Sequence, residues 1–392
     1  MSADVAAIVA CIETAIRTSR RPVALHEPLF AGLEHEYLAR CIDSGWVSSA
    51  GAFVDAFETE LAKICGSRFA VAMVNGTAAL HVGLRLVGVA SGDEVMVPAL
   101  TFVATANAVT YCNAVPHFVD IDSDHLGIDP NKLAAHLHRI AQLRNGVCVN
   151  RETGRSIRAV VPVHVFGHPC DMDAINAVAD EFALAVVEDA TESLGSSYRG
   201  QPCGGLGRVG VLSFNGNKIV TTGGGGAILT DDPTLAGQAR HLSTTAKVPH
   251  PWAFEHDAVG WNYRMPNLNA ALGLAQIEQL SEFVAAKRRL ARRYAAVFAE
   301  MRGVTFVQEA PGTMSNYWLN ALRLDHALAP DREMLLEATH AAGLLTRPVW
   351  TPMHQLEIFR DNPRGDLEAT ESTAPQLLNL PSSASLGMND VE

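Results

Sequence analysis

One lysine, Lys218, sits in the stretch "VLSFNGNKIVTTGGGGAIL" (211–229), just after Asn215-Gly216 and shortly before four consecutive glycines, Gly223 to Gly226. Read locally, this is a surface hairpin with a solvated lysine, because Asn-Gly is a strong turn signal. Read chemically, it is a primary amine that can attack a carbonyl and carry protons, beside backbone that lacks Cβ atoms. An amine that gives up its proton easily suits both tasks. Other reactive types recur where apolar runs end. Gly76-Thr77 follows "FAVAMVN" and opens a helical pattern. Free N–H groups and the helix dipole favour a phosphate there, and the Thr77 hydroxyl adds a donor; the plain alternative is a helix cap. Asp189 ends "LAVVED", where it either caps the next turn or pairs with a buried cation; Glu188, one residue earlier, faces the opposite way. Phe102, in "PALTF", is either ordinary core or a flat face against a planar ring. His164 and His168, in "HVFGH", have a metal-binding spacing only on a helix. Gly167 and Pro169 argue against a helix, so no metal site is expected.

These residues need elements to bring them together. Between about residues 69 and 230, short β-branched runs alternate with helical segments. "FAVAMV", "EVMVPAL", "VPHFVDID", "IRAVVPVHVFG" and "LAVVEDA" read as strands. "GTAALHVGLRLVGV", "FVATANAVTYC", "PNKLAAHLHRIAQL" and "DMDAINAVADEFA" read as helices. That alternation predicts βαβ units and a largely parallel sheet. "GVLSFN" and "GAILTDD" are further strands whose direction the pattern leaves open, and "NGVCVNRETGRSIR" is polar enough for an exposed loop or hairpin. From Asn267 to about Met301 the pattern is helical for many turns. "NYWLNALRL", "REMLLEATHAAG" and "LLTRPVW" then read strand, helix, strand, as in a smaller C-terminal domain. In open α/β sheets ligands bind beyond the carboxyl ends of the strands. Gly76, Thr77, Phe102, Asp189, Ser213 and Lys218 all fall at such ends.

Several other ligands fit the pattern less well. A dinucleotide fingerprint needs G-x-G-x-x-G between strand and helix, whereas "GGGG" runs into a strand. "SFNGNKI" is not a P-loop. Pyridoxal phosphate fits every part: a lysine for a Schiff base, an acid for the pyridine nitrogen, a helix start for the phosphate and a flat residue over the ring.

The composition narrows the class further. The 392 residues suggest one large and one small domain, and 48% are hydrophobic against 18% charged, as in a globular protein. A formal charge of −12 argues against a general nucleic-acid binder. The seven cysteines form no C-x-x-C pair, which points to reduced thiols in a cytoplasmic protein. "MSADVAAIVACIETAIRTSRR" carries an apolar helical stripe but does not read as a signal peptide, and no run is long enough for a membrane span.

The chain resembles the DegT/StrS-type nucleotide-sugar aminotransferases. The resemblance runs from about His26 to Pro381. It rests on "HEPLFAGLEHEYLARCIDSGWVSSAGAFVDAFE", "NGTAALHVGL", "GDEVMVPALTFVATANAV", "VHVFGHPCDMD", "VEDATESLGS", "SFNGNKIVTTGGGG" and "VGWNYRMPNLNAALGLAQIEQL". It implies the type I (aspartate aminotransferase-like) PLP fold, α/β, with a mostly parallel central sheet flanked by helices and a smaller C-terminal α+β domain. The division expected is 1–266 for the N-terminal segment and large domain, and 267–392 for the connecting helix and small domain. Lys218 resembles the Schiff-base lysine and Asp189 the pyridine partner. Gly76, Thr77 and Ser213 look like phosphate contacts, Phe102 like the stacking residue, and Glu192 stands near the cofactor where relatives often have Gln or His. Asn262 resembles an asparagine that reaches the phosphate from the neighbouring subunit, which implies a homodimer with shared sites. The activity implied is transfer of an amino group from L-glutamate to C4 of a nucleotide-linked 4-keto-6-deoxy sugar. "FNGNKIVTTGGGG", "RHLSTTAKVPHPW" and "NLPSS" look most like the bacillosamine and legionaminic-acid branch, which uses a UDP-linked acetamido sugar; the alternative is a GDP-linked 4-keto-6-deoxymannose, as in perosamine synthesis. A sugar dehydratase on the same fold replaces the lysine, typically by histidine, and a non-catalytic binder is expected to lose Lys218 or Asp189. Lys247, His250, His256 and Arg264 are candidates for a local basic cluster that holds the diphosphate, the alternative being a solvated polar loop.

Overall fold

The computed structural model describes residues 3–388. Its large unit is built on a seven-stranded sheet. In spatial order the strands are Phe69–Met73, Gly226–Thr230, Val209–Ser213, Ala185–Asp189, Ile157–Val160, Glu94–Pro98 and Val115–Val119. The two strands of open direction resolve differently: Val209–Ser213 pairs parallel with Ala185–Asp189, and Gly226–Thr230 runs antiparallel between Phe69–Met73 and Val209–Ser213. The remaining pairs are parallel. Both faces of the sheet are covered, so its strands are apolar on both sides rather than alternating. Val71 and Met73 pack with Leu80 and Leu84 of the helix Gly76–Leu86. Ala70 and Ala72 of the same strand face Phe57, Leu61 and Phe283 on the other side.

The polar stretch 145–158 forms the turn of a hairpin, Ala141–Arg144 with Val147–Asn150, and then enters the central sheet at Ile157. The long helical pattern after Asn267 breaks into Asn267–Ile277 and Leu280–Phe298. The cause is local. The Gln279 side chain donates to the Ala275 carbonyl at 2.9 Å, while its backbone N–H turns to Gln276 at 3.1 Å. A side-chain donor thus replaces the i→i−4 bond at the junction.

The smaller unit is a four-stranded antiparallel sheet ordered Val304–Phe306, Asn320–Leu324, Leu377–Leu380, Arg347–Pro348. The N-terminal helix, Ala3–Ile16, falls within the expected 1–266 division. It buries Ile8, Ile12 and Ile16 with Tyr294, Leu322, Leu335 and Leu378, and so shares the core of the smaller unit. Residues 389–392 of the expected 267–392 domain lie outside the described residues. Among the described residues no helix is long and apolar enough to cross a membrane.

Candidate active site

The carboxyl ends of the central strands open into a cavity of about 320 Å³. It is lined by Gly76, Thr77, Phe102, Asp189, Glu192, Ser213 and Lys218, all singled out in the sequence, together with Trp318 and Trp350 from the smaller unit. The structure therefore converts a set of strand ends into one site.

The helix Gly76–Leu86 points its first turn at the cavity. Asn75, not Thr77, is its cap: the Asn75 side chain accepts the Ala78 N–H at 2.7 Å. The N–H groups of Gly76 and Thr77 precede the helical ladder and have no partner within the helix. A Cβ on Gly76 would lie 2.8 Å from the Ser213 Cβ, so only glycine lets that strand end close on the helix start. The glycine run has two separate jobs. A Cβ on Gly226 would sit 2.5–2.6 Å from the Asn75-Gly76 backbone, and one on Gly225 would meet the Thr222 hydroxyl and Met265. Gly223 turns the chain at φ +77° with nothing within 4 Å of its would-be Cβ. Half of the run is thus required by contact with protein rather than with a ligand.

Asp189 is 2% exposed. Its Oδ2 accepts the Thr105 hydroxyl at 2.8 Å, and the Thr105 hydroxyl oxygen in turn lies 3.0 Å from that of Thr101; Oδ1 accepts the Thr191 N–H at 3.2 Å. These bonds fix the carboxylate's direction. Glu188 goes the other way, as strand alternation requires. It takes the N–H groups of Leu206 and Gly207 at 2.7 and 3.1 Å and lies 2.9 Å from His164 Nε2. His164, Glu188 and Cys203 bring ligand-type atoms within 4.8 Å of one another, yet Glu188 is engaged in shaping the 204–207 loop. His168 leaves this group altogether and packs edge-on to Tyr317.

Lys218 Nζ lies over the Trp318 ring, 3.8 Å from its centroid, and 3.4 Å from Glu192 Oε1. The Trp318 indole N–H donates to the Asn217 carbonyl at 2.7 Å, tying the lysine turn to the smaller unit. Asn316 in turn donates to the Glu192 and Leu194 carbonyls at 2.9 Å and accepts the Trp318 N–H at 2.8 Å. Trp318, Trp350 and Asn316 were not identified from the sequence. They lie about a hundred or more positions from their partners, and a Trp in a strand pattern carries no local signal of a site. Asn75 did carry one, since it stands directly before a helix start.

Phe102 is 52% exposed, with its ring centroid 6.2 Å from that of Trp350. Asn262 is exposed, outside the cavity lining, bridged to Thr244 at the base of the 244–262 loop. Arg264 must be corrected as a diphosphate candidate: it is 9% exposed and its guanidinium donates to Glu58 at 2.6 Å and to the Ala72 carbonyl at 3.0 Å. Lys247, His250 and His256 lie on the exposed loop. Lys247 Nζ covers the Phe254 ring at 4.4 Å, His250 Nδ1 accepts the Ala253 N–H at 2.8 Å, and His256 Nδ1 lies 2.8 Å from the Thr245 carbonyl.

The donor set matches pyridoxal phosphate. The helix-start N–H groups and the Thr77 and Ser213 hydroxyls suit a phosphate, the fixed buried carboxylate suits a ring nitrogen, and the Lys218 amine lines the same cavity. Comparison with known proteins agrees. Residues 30–392 match the model of the DegT/DnrJ/EryC1/StrS aminotransferase family. The chain is 38% identical to a GDP-perosamine synthase of Caulobacter vibrioides, over 94% of this chain and 95% of that one. It is 34% identical to a GDP-perosamine synthase of Escherichia coli O157:H7, again over 94% and 95%. Among solved structures it is similar to DesI, determined in the presence of its TDP-sugar product, with 31% identity, a TM-score of 0.82, and 96% and 93% of the two chains covered. Fold and site together define a type I pyridoxal-phosphate-dependent aminotransferase. The chain belongs to the DegT/DnrJ/EryC1/StrS aminotransferase family.

Proposed function

We propose that this enzyme transfers an amino group from L-glutamate to C4 of a GDP-linked 4-keto-6-deoxy sugar. The observation that carries the reading is the end-to-end similarity to two proteins named GDP-perosamine synthase, with Lys218 and Asp189 both facing the cavity. It favours the GDP-linked alternative over the UDP-linked acetamido sugar expected first from the sequence.

In this reading Gly76, Thr77 and Ser213 hold the phosphate, Asp189 holds the ring nitrogen and Phe102 lies against the ring. The cofactor supplies an electron-accepting ring that makes the donor's Cα proton removable. Lys218 is the base and acid that moves that proton, and its seat on Trp318 keeps Nζ directed into the cavity. Trp318 and Trp350 line that side of the cavity with apolar surface. Asn262, exposed in its own chain, reaches the neighbouring site in a homodimer, and Lys247, His250 and His256 flank the diphosphate. Seven free thiols suit a reducing, cytoplasmic setting. The test is a coupled amination assay with glutamate across GDP- and UDP-linked 4-keto-6-deoxy sugars. Turnover confined to the GDP-linked sugar supports the proposal, and preference for a UDP-linked sugar overturns it.

A further inference from the structure

Glu192 is 5% exposed and stands against the amine of Lys218 with its two oxygens in different surroundings. Oε2 accepts the Phe166 N–H at 2.9 Å, and Oε1 faces Lys218 Nζ at 3.4 Å. The Phe166 bond is built at a cost. Phe166 has φ +58° and ψ 13°, a left-handed conformation rare for an aromatic residue, in a bend followed by Gly167 at φ +93°. The bend aims the N–H at the carboxyl. The Asn316 amide holds the same residue from behind through the Glu192 carbonyl at 2.9 Å. One oxygen is thereby committed to accepting, so a proton on this carboxyl must sit on the oxygen that faces the lysine.

We propose that Glu192 is a second catalytic residue of the site, a proton store that takes a proton from Lys218 Nζ through Oε1 and returns it. This rests on the aminotransferase reading of Lys218. The step is a simple exchange: Lys218 ammonium and Glu192 carboxylate become Lys218 amine and Glu192 carboxylic acid, with no other bond made or broken. Burial pushes the Glu192 carboxyl up to about 7, against the opposing pull of Lys218 and the Phe166 N–H and with help from the Asp189 charge. A carboxyl poised there exchanges protons efficiently in either direction at neutral pH. Lys218 faces it from the lysine turn and Asp189 from the Ala185–Asp189 strand. Beyond Lys218 lies His26, whose affinity for a proton is driven well down by burial and by the Lys287 and Lys218 charges, so it does not compete. Lys287 is buried against the Trp318 carbonyl at 3.1 Å and is itself driven well down by burial.

The test compares wild type with Glu192→Gln, which keeps an acceptor for Phe166 and the size of the side chain. Full-length protein freed of cofactor is pulsed with an amine-acylating reagent from pH 5 to 10, and the rate at Lys218 is read by peptide mass spectrometry. In wild type the rate-against-pH curve bends near neutrality as Glu192 ionises and holds the ammonium. In Glu192→Gln the bend is absent and labelling at pH 8 is several-fold faster. Loaded Glu192→Gln still fixes cofactor to Lys218 on borohydride reduction but loses roughly 10²-fold in kcat. Glu192→Asp retains the bend, which separates proton exchange from mere packing. Identical curves for wild type and Glu192→Gln, or an unchanged kcat, overturn the proposal. Failure of wild type to trap cofactor at Lys218 would instead overturn the aminotransferase reading, whatever the labelling shows.

Discussion

Replacing Lys218 by alanine removes an amine but leaves the proposed phosphate and ring contacts, because Gly76, Thr77, Ser213 and Asp189 come from other elements. The expected outcome is a protein that still binds cofactor in part, is not labelled by borohydride reduction, and has lost steady-state turnover. Asp189→Asn should keep covalent trapping while slowing turnover by about 10²-fold or more. Equal behaviour of the two variants would argue against their separate roles. Arg264→Met tests the corrected assignment. It leaves Glu58 with Arg240, at 2.9 Å, as an ion-pair partner and should lower stability by about 1.5–3 kcal/mol in denaturant titration. It should not selectively raise the KM for the sugar nucleotide, whereas Lys247→Ala should. His168 provides a pH signature. Burial holds it down to about 4, and neither ring nitrogen has a hydrogen-bond partner among the described residues. An imidazole in the unfolded chain titrates near 6.5, so between these values the unfolded state binds the extra proton. Stability is full above about pH 6.5 and falls by up to about 3 kcal/mol as the pH drops towards 4. His168→Phe should flatten that part of the denaturation profile.

The element scale turns on how closely backbones approach. The strand Gly226–Thr230 runs antiparallel to both of its neighbours, Phe69–Met73 and Val209–Ser213, and its first residue touches the Asn75-Gly76 peptide that opens the helix Gly76–Leu86. Gly226→Ala should therefore push the helix start away from Ser213. We expect a loss of about 1–3 kcal/mol in stability and a weaker cofactor affinity, read by fluorescence titration. Gly224→Ala, whose would-be Cβ meets only the Val74 carbonyl at 3.9 Å, should be nearly silent in both. The parallel strands and their helices were legible as β-branched runs and 3.6-residue periods. The direction of Gly226–Thr230 was not, because alternation is the same for either sense of pairing. The helix break at 278–279 was hidden for a similar reason: it arises from a glutamine side chain competing with its own backbone, which leaves the apolar period intact.

At the scale of the whole molecule, the site is closed by residues from both units and, in the proposed dimer, from a second chain. A mixed dimer with Asn262→Ala on one chain and Lys218→Ala on the other should retain one competent site of two. Loss of all activity, or full activity in a verified monomer, would refute the shared-site arrangement. The exposed Trp252 and Phe254 on the 244–262 loop, 82% and 81% exposed in the single chain, belong to the same test. Trp252→Ser should weaken association in sedimentation velocity if that loop crosses to the neighbour.

Chemistry carried by short, local patterns could be read directly from the chain. A glycine-threonine pair after a strand, an aspartate ending another and a lysine in an asparagine-glycine turn each marked a candidate position with a plain structural alternative, and the family resemblance gave them their expected roles. Their spacing along a βαβ chain already implies one sheet edge, since parallel strands all end on the same side. Contacts between distant segments had no such local signature. Trp318 under Lys218, Phe166 bent to reach Glu192, the N-terminal helix packed in the smaller unit and Arg264 diverted to Glu58 depend on which surfaces meet when the chain closes. Side-chain partners are chosen by shape and by the cost of leaving a buried charge unpaired, and both exist only once the tertiary fold has formed.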